Sequence, residues 1–179
     1  LPLVYLGGLS RLMACPSPPA KNGTLLILLS GPEPQRSLLE KKILSQALML
    51  KQKTLLIRGV THGKNRHTVN EWLTVIDFLD GPALQECLCA AEWVICRSGY
   101  STLMDLVRLH AKAILVPTPG QAEQEYLAHH FRQNRWAMSI EQDVFDLNEA
   151  IEEAKRFPYQ PPVLSFETYR EVVDTRITG

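Results

Sequence analysis

Five short, nearly unbroken apolar runs set the limits on this chain: residues 24–30, 54–57, 73–79, 93–96 and 113–116. A strand with one wet face alternates apolar and polar side chains, whereas a strand covered on both faces does not. The runs are therefore predicted to be interior strands of a mainly parallel sheet. Between them lies the cover such a sheet needs. Residues 37–50 carry Leu38, Leu39, Ile43, Leu44, Ala47, Leu48 and Leu50 at helical spacing. Helices are also expected at about 83–91, 101–110, 121–133, 146–156 and 166–175, with a short sixth strand at 135–138. Residues 60–71 are polar and are expected to form an exposed loop. This alternation predicts the α/β class, a doubly wound, mainly parallel, Rossmann-like sheet. Ligands of such sheets sit outside the carboxyl ends of the strands, where strand order reverses. The chemistry is thus expected from the loops at 30–36, 59–71, 79–82, 97–102 and 117–124.

A chain of 179 residues suffices for one well-buried domain and is short for two. Residues 1–21, with Gly7-Gly8 and then Pro16, Pro18 and Pro19, read as an interdomain linker with a short strand at 4–6; residues 22–179 read as the domain. Lys plus Arg (19) equals Asp plus Glu (19), so no general attraction to nucleic acid or acidic membranes is expected. No apolar run approaches the ~20 residues that cross a bilayer. Residues 1–11 lack the basic start and apolar stretch of a signal peptide. The chain begins without Met and is expected to be a piece of a longer, cytoplasmic protein. The spacing of its four cysteines, Cys15, Cys87, Cys89 and Cys96, fits neither a zinc site nor a disulfide framework. They are expected to be small buried hydrophobes in a reducing compartment.

Residues 94–105 read Val-Ile-Cys-Arg-Ser-Gly-Tyr-Ser-Thr-Leu-Met-Asp: a strand end, a turn of small residues and a helix start. Such a junction aims free backbone N–H groups and the positive end of a helix at one spot, which suits a phosphate. Asp105, one turn on, could reach ribose hydroxyls beside it. The same residues also fit an arrangement without ligand, in which Thr102 caps the helix, Asp105 completes a capping box and Gly99 eases a tight turn.

Residues 117–125 read Pro-Thr-Pro-Gly-Gln-Ala-Glu-Gln-Glu, again between a strand and a helix. Gln124 and Glu125 supply the donor and acceptors that sugar hydroxyls need, or serve as a solvated first turn. The loop after the first strand, residues 30–36, has one Gly and two Pro, not the Gly-x-Gly-x-x-Gly of nicotinamide and flavin enzymes, and no Walker loop occurs. Arg36 is placed to reach a phosphate or to stand in solvent. His62 and His67 read as surface residues, and His129 lies nearer the crevice.

Taken together, residues 75–80 (Val-Ile-Asp-Phe-Leu-Asp), 93–99 (Trp-Val-Ile-Cys-Arg-Ser-Gly) and Gln124-Glu125 resemble the donor-binding, C-terminal half of a two-domain GT-B glycosyltransferase. The resemblance is to the family of the bacterial peptidoglycan UDP-N-acetylglucosamine transferase, and it covers the whole predicted domain. It implies that Phe78 and Leu79 wall a uracil pocket, with the Leu79 backbone pairing the base. It implies that Arg97, Ser98, Gly99, Ser101 and Thr102 form the diphosphate turn. Asp105 stands where the family has a ribose-gripping Glu. Gln124 and Glu125 stand where the peptidoglycan enzyme has two Gln on the transferred sugar. The first loop, Gly31-Pro32-Glu33-Pro34, replaces the family's Gly-Gly-Ser.

The resemblance implies an inverting hexosyltransferase that takes a UDP-sugar donor of the UDP-N-acetylglucosamine kind. It implies a separate N-terminal, acceptor-binding domain that supplies any catalytic base and any peripheral membrane association, and an isolated donor half that is inactive. No cofactor is expected and, for want of an Asp-x-Asp triplet, no metal. The alternatives are a non-catalytic donor-binding subunit that needs a separate partner, a UDP-sugar epimerase domain, and a doubly wound domain for other ligands.

Overall fold

The computed structural model describes residues 4–15, 21–60 and 65–177. Seven strands form one sheet in the order β3-β4-β2-β1-β5-β6-β7. They are β1 (Leu25–Leu28), β2 (Thr54–Ile57), β3 (Arg66–Thr68), β4 (Leu73–Ile76), β5 (Trp93–Cys96), β6 (Ala113–Leu115) and β7 (Met138–Ser139). All neighbours are parallel except β3, which pairs antiparallel with β4 at one edge. The helices are α1 (Gln35–Ala47), α2 (Gly81–Ala90), α3 (Tyr100–Arg108), α4 (Ala122–Gln133), α5 (Leu147–Arg156) and α6 (Thr168–Ile177).

Successive strand residues point to opposite faces, and each face has its own core. Leu25, Ile27, Leu56, Ile95 and Ile114 pack under α1 and α5, against Leu39, Ile43, Ala150 and Ile151. Leu26, Val94, Cys96 and Leu115 pack under α2, α3 and α4, against Leu88, Leu103, Leu106 and Phe131. Both sides of the interior strands are thus apolar, which is why their sequences do not alternate. From β1 the chain moves outward to β2 and β4, then returns across the sheet to β5, β6 and β7. The direction reverses between β1 and β5, so the crevice lies beyond the ends of these two strands.

Several expectations are corrected. Within the polar stretch 60–71 lies β3, whose three residues are all exposed. Its pairing partner, not its own hydrophobicity, makes it a strand, and Arg66 and His67 on an edge discourage further pairing. No strand forms at residues 4–6. The last strand falls at Met138–Ser139 because the chain, leaving α4, first reverses through Arg135 at φ 61. His62 lies outside the described residues.

The N-terminal segment also docks on the domain. Leu12 is 5% exposed in the core, Gly8 N donates to Ser165 O at 2.9 Å, and a Cβ on Gly8 would sit 2.8 Å from the Phe166 ring. Cys15 is disulfide-bonded to Cys89 of α2, against the expectation of four free thiols; Cys87 and Cys96 are free. The bridge joins residues 74 apart in sequence, a pairing that only the docked segment brings about.

Candidate functional site

The turn from β5 into α3 is the centre of the site. The N-cap of α3 is Gly99, and no side chain caps the helix. Thr102 and Asp105 therefore form no capping box, and the first N–H groups of α3 have no acceptor from its own turns. Gly99 has φ −68 and ψ 140, a conformation open to any residue, and a Cβ there would meet nothing within 4 Å. Neither strain nor packing requires glycine at this position, so the tight-turn explanation does not hold. Tyr100 and Ser101 are exposed and Thr102 is half-buried around the same opening.

Arg97 turns away from that opening. It is 2% exposed. One terminal nitrogen donates to Val116 O (3.1 Å) and Pro117 O (3.0 Å), the other to Gln35 O (2.9 Å) and Gln142 Oε1 (2.6 Å). Burial lowers its pKa to about 10, so it remains a cation at neutral pH. Ser98 is also buried, and its Oγ donates to Gln124 O at 2.7 Å. The Arg97 and Ser98 side chains thus build the crevice from beneath, which leaves backbone groups to face it.

Asp105 is 4% exposed. Its carboxylate accepts from Ser10 Oγ at 2.7 Å and Arg11 Nε at 3.0 Å. Gln124 Oε1 accepts from Thr118 N (3.0 Å) and Thr118 Oγ1 (3.1 Å), and Glu125 Oε1 accepts from Gly120 N (2.8 Å). The two polar residues of this turn therefore hold the loop that leads into α4. A cavity of 650 Å³ opens along Glu125, between α4, α5 and the loop after β7, and is lined by Pro119, His129, Arg132, Asp143 and Glu153 among others. At the far side, past the end of β4, Phe78 is exposed and Leu79 is half-buried against the core. Asp80 caps α2 through Ala83 N at 2.9 Å.

Arg36 neither stands free nor faces the crevice. It pairs with Glu33 and Glu40, and Glu40 pairs in turn with Arg58, which pairs with Asp77. Among the described residues, no group of three or more His, Cys, Asp and Glu side chains is placed to hold a metal ion.

Residues 35–162 match the glycosyltransferase family 28 C-terminal domain. The chain belongs to this family. Among solved structures, the family 28 domain is similar to MurG of Acinetobacter baumannii (TM-score 0.57, 19% identity, 91% of this chain and 54% of that one). It is also similar to the glycosyltransferase VinC, solved in complex with DTDP (0.56, 13%, 90% and 39%), and to SnogD from Streptomyces nogalater (0.54, 16%, 97% and 48%). At these identities the likeness speaks for the fold, that of the C-terminal domain of GT-B glycosyltransferases. The chain spans between 39% and 54% of the length of these three structures. No curated protein matches it.

The structure adds residues that sequence reasoning missed. Ser10 and Arg11 lay in the stretch read as a linker, Gln142 carried no motif, and Gln35 and Thr118 lay in the expected loops without being singled out. Ser10, Arg11, Gln35 and Gln142 act through contacts between segments far apart in sequence, which spacing alone does not reveal.

Proposed function

We propose that this family 28 domain is the donor-binding half of an inverting glycosyltransferase that uses a UDP-sugar, of the UDP-N-acetylglucosamine kind. The observation that carries this reading is Gly99. It is a glycine with ordinary dihedrals and open space above it, at an uncapped helix start, at the point where strand order reverses. Glycine in such a place lets a ligand approach the backbone closely, and the helix start favours an anion.

In this reading the diphosphate lies on the backbone N–H groups of residues 99–102, with the Ser101 and Thr102 hydroxyls beside them. The base extends toward Phe78 and Leu79, and Asp105 offers the lone pairs not used by Ser10 and Arg11 to the ribose. The sugar reaches toward Gln124, Glu125 and the adjoining cavity, whose volume lies in the range of small-molecule sites. The acceptor hydroxyl attacks the anomeric carbon as the carbon–oxygen bond to UDP breaks, so negative charge grows on the leaving phosphate. Donors already aimed at that phosphate stabilise the charge without reorganising. An acceptor-binding domain, outside this chain, supplies the acceptor site and any base.

Isothermal titration with UDP, dTDP, GDP, NAD and ATP tests the ligand class, with Gly99→Ala as the critical variant. UDP is expected to bind, and the added methyl group to weaken it by on the order of tenfold or more while leaving the fold intact, since Ala is a poorer N-cap than Gly by about 1 kcal/mol at most. Binding of NAD or ATP in place of UDP, or undiminished UDP binding by Gly99→Ala, would remove the reading.

A further inference from the structure

Arg97 has no carboxylate among its hydrogen-bond acceptors; three are backbone carbonyls and the fourth is the Gln142 amide oxygen. Its Nε is buried without an acceptor among the described residues. A buried cation that lacks a counter-charge costs stability. A staple between loops does not need a charge, because a neutral amide can also bridge carbonyls. The position of this one is specific. It immediately precedes the Ser98-Gly99 turn into α3, and its four bonds reach the start of α1, the end of β6 and the loop after β7. These segments, with the turn itself, surround the opening at Gly99.

We infer that Arg97 is a positioning residue that also supplies a fixed positive field to the diphosphate from beneath the crevice, without touching it. The inference rests on the donor-site reading. The guanidinium is held at the junction of three segments, so the loops that shape the crevice and the charge beneath them keep one geometry. Because the guanidinium is buried, at 2% exposed, its field is screened less than it would be at the surface. An anion bound at Gly99 then becomes the counter-charge that the described residues do not provide. Burial lowers the pKa of Arg97, which fits a cation that lacks a partner.

Gln142→Glu separates field from scaffold. It places a carboxylate where Gln142 Oε1 already meets Arg97 at 2.6 Å, so it neutralises the charge and keeps the bond. The bond from Gln142 Nε2 to Gln35 Oε1 (2.8 Å) is restored if the Gln35 amide flips to donate. Affinities are measured for UDP, UMP and uridine, together with the melting temperature. A melting temperature at or above that of the parent is expected. UDP affinity should fall roughly tenfold, UMP affinity less and uridine affinity within about twofold, in the order of ligand charge.

Arg97→Lys provides the second arm. It keeps the charge and loses the fork, so the ratio of UDP to uridine affinity should stay near that of the parent even as the melting temperature falls. Equal losses for all three ligands in Gln142→Glu, or no loss for any, would overturn the inference and leave Arg97 as scaffold alone. Failure of the parent chain to bind UDP would instead bring down the donor-site reading on which the inference stands.

Discussion

Arg11 and Asp105 meet across 94 residues of sequence, the guanidinium Nε donating to a buried carboxylate at 3.0 Å. Arg11 is mostly exposed, so this pair adds little stability by itself. The bond from Ser10 Oγ to the other carboxylate oxygen is better shielded, at 2.7 Å. An ionised carboxylate has about four lone-pair sites, so in the proposed donor-site reading the acceptor capacity left over by these two bonds is what a ribose hydroxyl would use. Asp105→Asn is therefore expected to cost about 1–2 kcal/mol of stability and to abolish discrimination between UDP and 2′-deoxy-UDP. Titration of both nucleotides into both proteins is the check. A preference for the ribose form that survives in Asp105→Asn would show that Asp105 does not grip the sugar.

Glu125 has one oxygen on Gly120 N and lies along the 650 Å³ cavity. Glu125→Gln keeps an acceptor for Gly120, so the loop before α4 should hold and UDP affinity should stay within about twofold. The charge facing the cavity is lost, and selection among UDP-sugars should shift toward donors that want an amide partner. Competition of UDP-glucose, UDP-N-acetylglucosamine and UDP-glucuronate against UDP reads this directly. Equal changes for UDP and every UDP-sugar would exclude a sugar contact.

The ion-pair chain from Arg36 through Glu40 and Arg58 to Asp77 makes acid sensitivity predictable. The hydrogen bond from Arg58, and then that from Asn65 N, hold the Asp77 carboxyl below the usual aspartate range. The Ser37 hydrogen bonds and Arg36 do the same for Glu33. A depressed folded pKa stabilises the protein fully above the unfolded value, about 4, and this support is lost as pH falls through the folded value. The melting temperature should thus be flat near neutrality and fall below about pH 4. Arg58→Gln should lower it at neutral pH and flatten the acid limb. An unchanged acid limb in that variant would show that the pair does not govern it.

The fold was legible wherever burial dictated sequence. The runs at 25–28, 54–57 and 93–96 are apolar because both faces of their strands are covered, and α1 shows its periodicity because one face, with Leu39, Ile43 and Ala47, is buried. What sequence did not reveal depends on contacts between distant segments. β3 is polar and borrows its geometry from β4. The direction of Arg97 is set by the carbonyls of Val116 and Pro117, just past β6, and of Gln35 in α1, which no local pattern announces. The turn at Gly99 was visible as a motif, but that its backbone and packing do not require glycine could be read only from its dihedrals and the space above it.

The Cys15–Cys89 bridge fixes the N-terminal segment to α2, and with it the approach of Ser10 and Arg11 to Asp105. Cross-linking residues this far apart restricts the unfolded chain, and such bridges typically contribute about 2–4 kcal/mol. Reduction with a dithiol, or Cys89→Ala, should lower the urea midpoint by an equivalent amount. Cys89 is buried, so the Ala variant also loses packing; the reduced parent reads the bridge alone, and any further drop in Cys89→Ala reads the packing. Alkylation in denaturant without reductant should modify Cys87 and Cys96 alone, and all four cysteines after reduction, which mass spectrometry of the intact chain distinguishes. Four modified cysteines without reductant would show that the bridge is not formed. The docked segment would then have to be held by its noncovalent contacts through Gly8, Ser10, Arg11, Leu12 and Met13, and the urea midpoint should no longer respond to the dithiol.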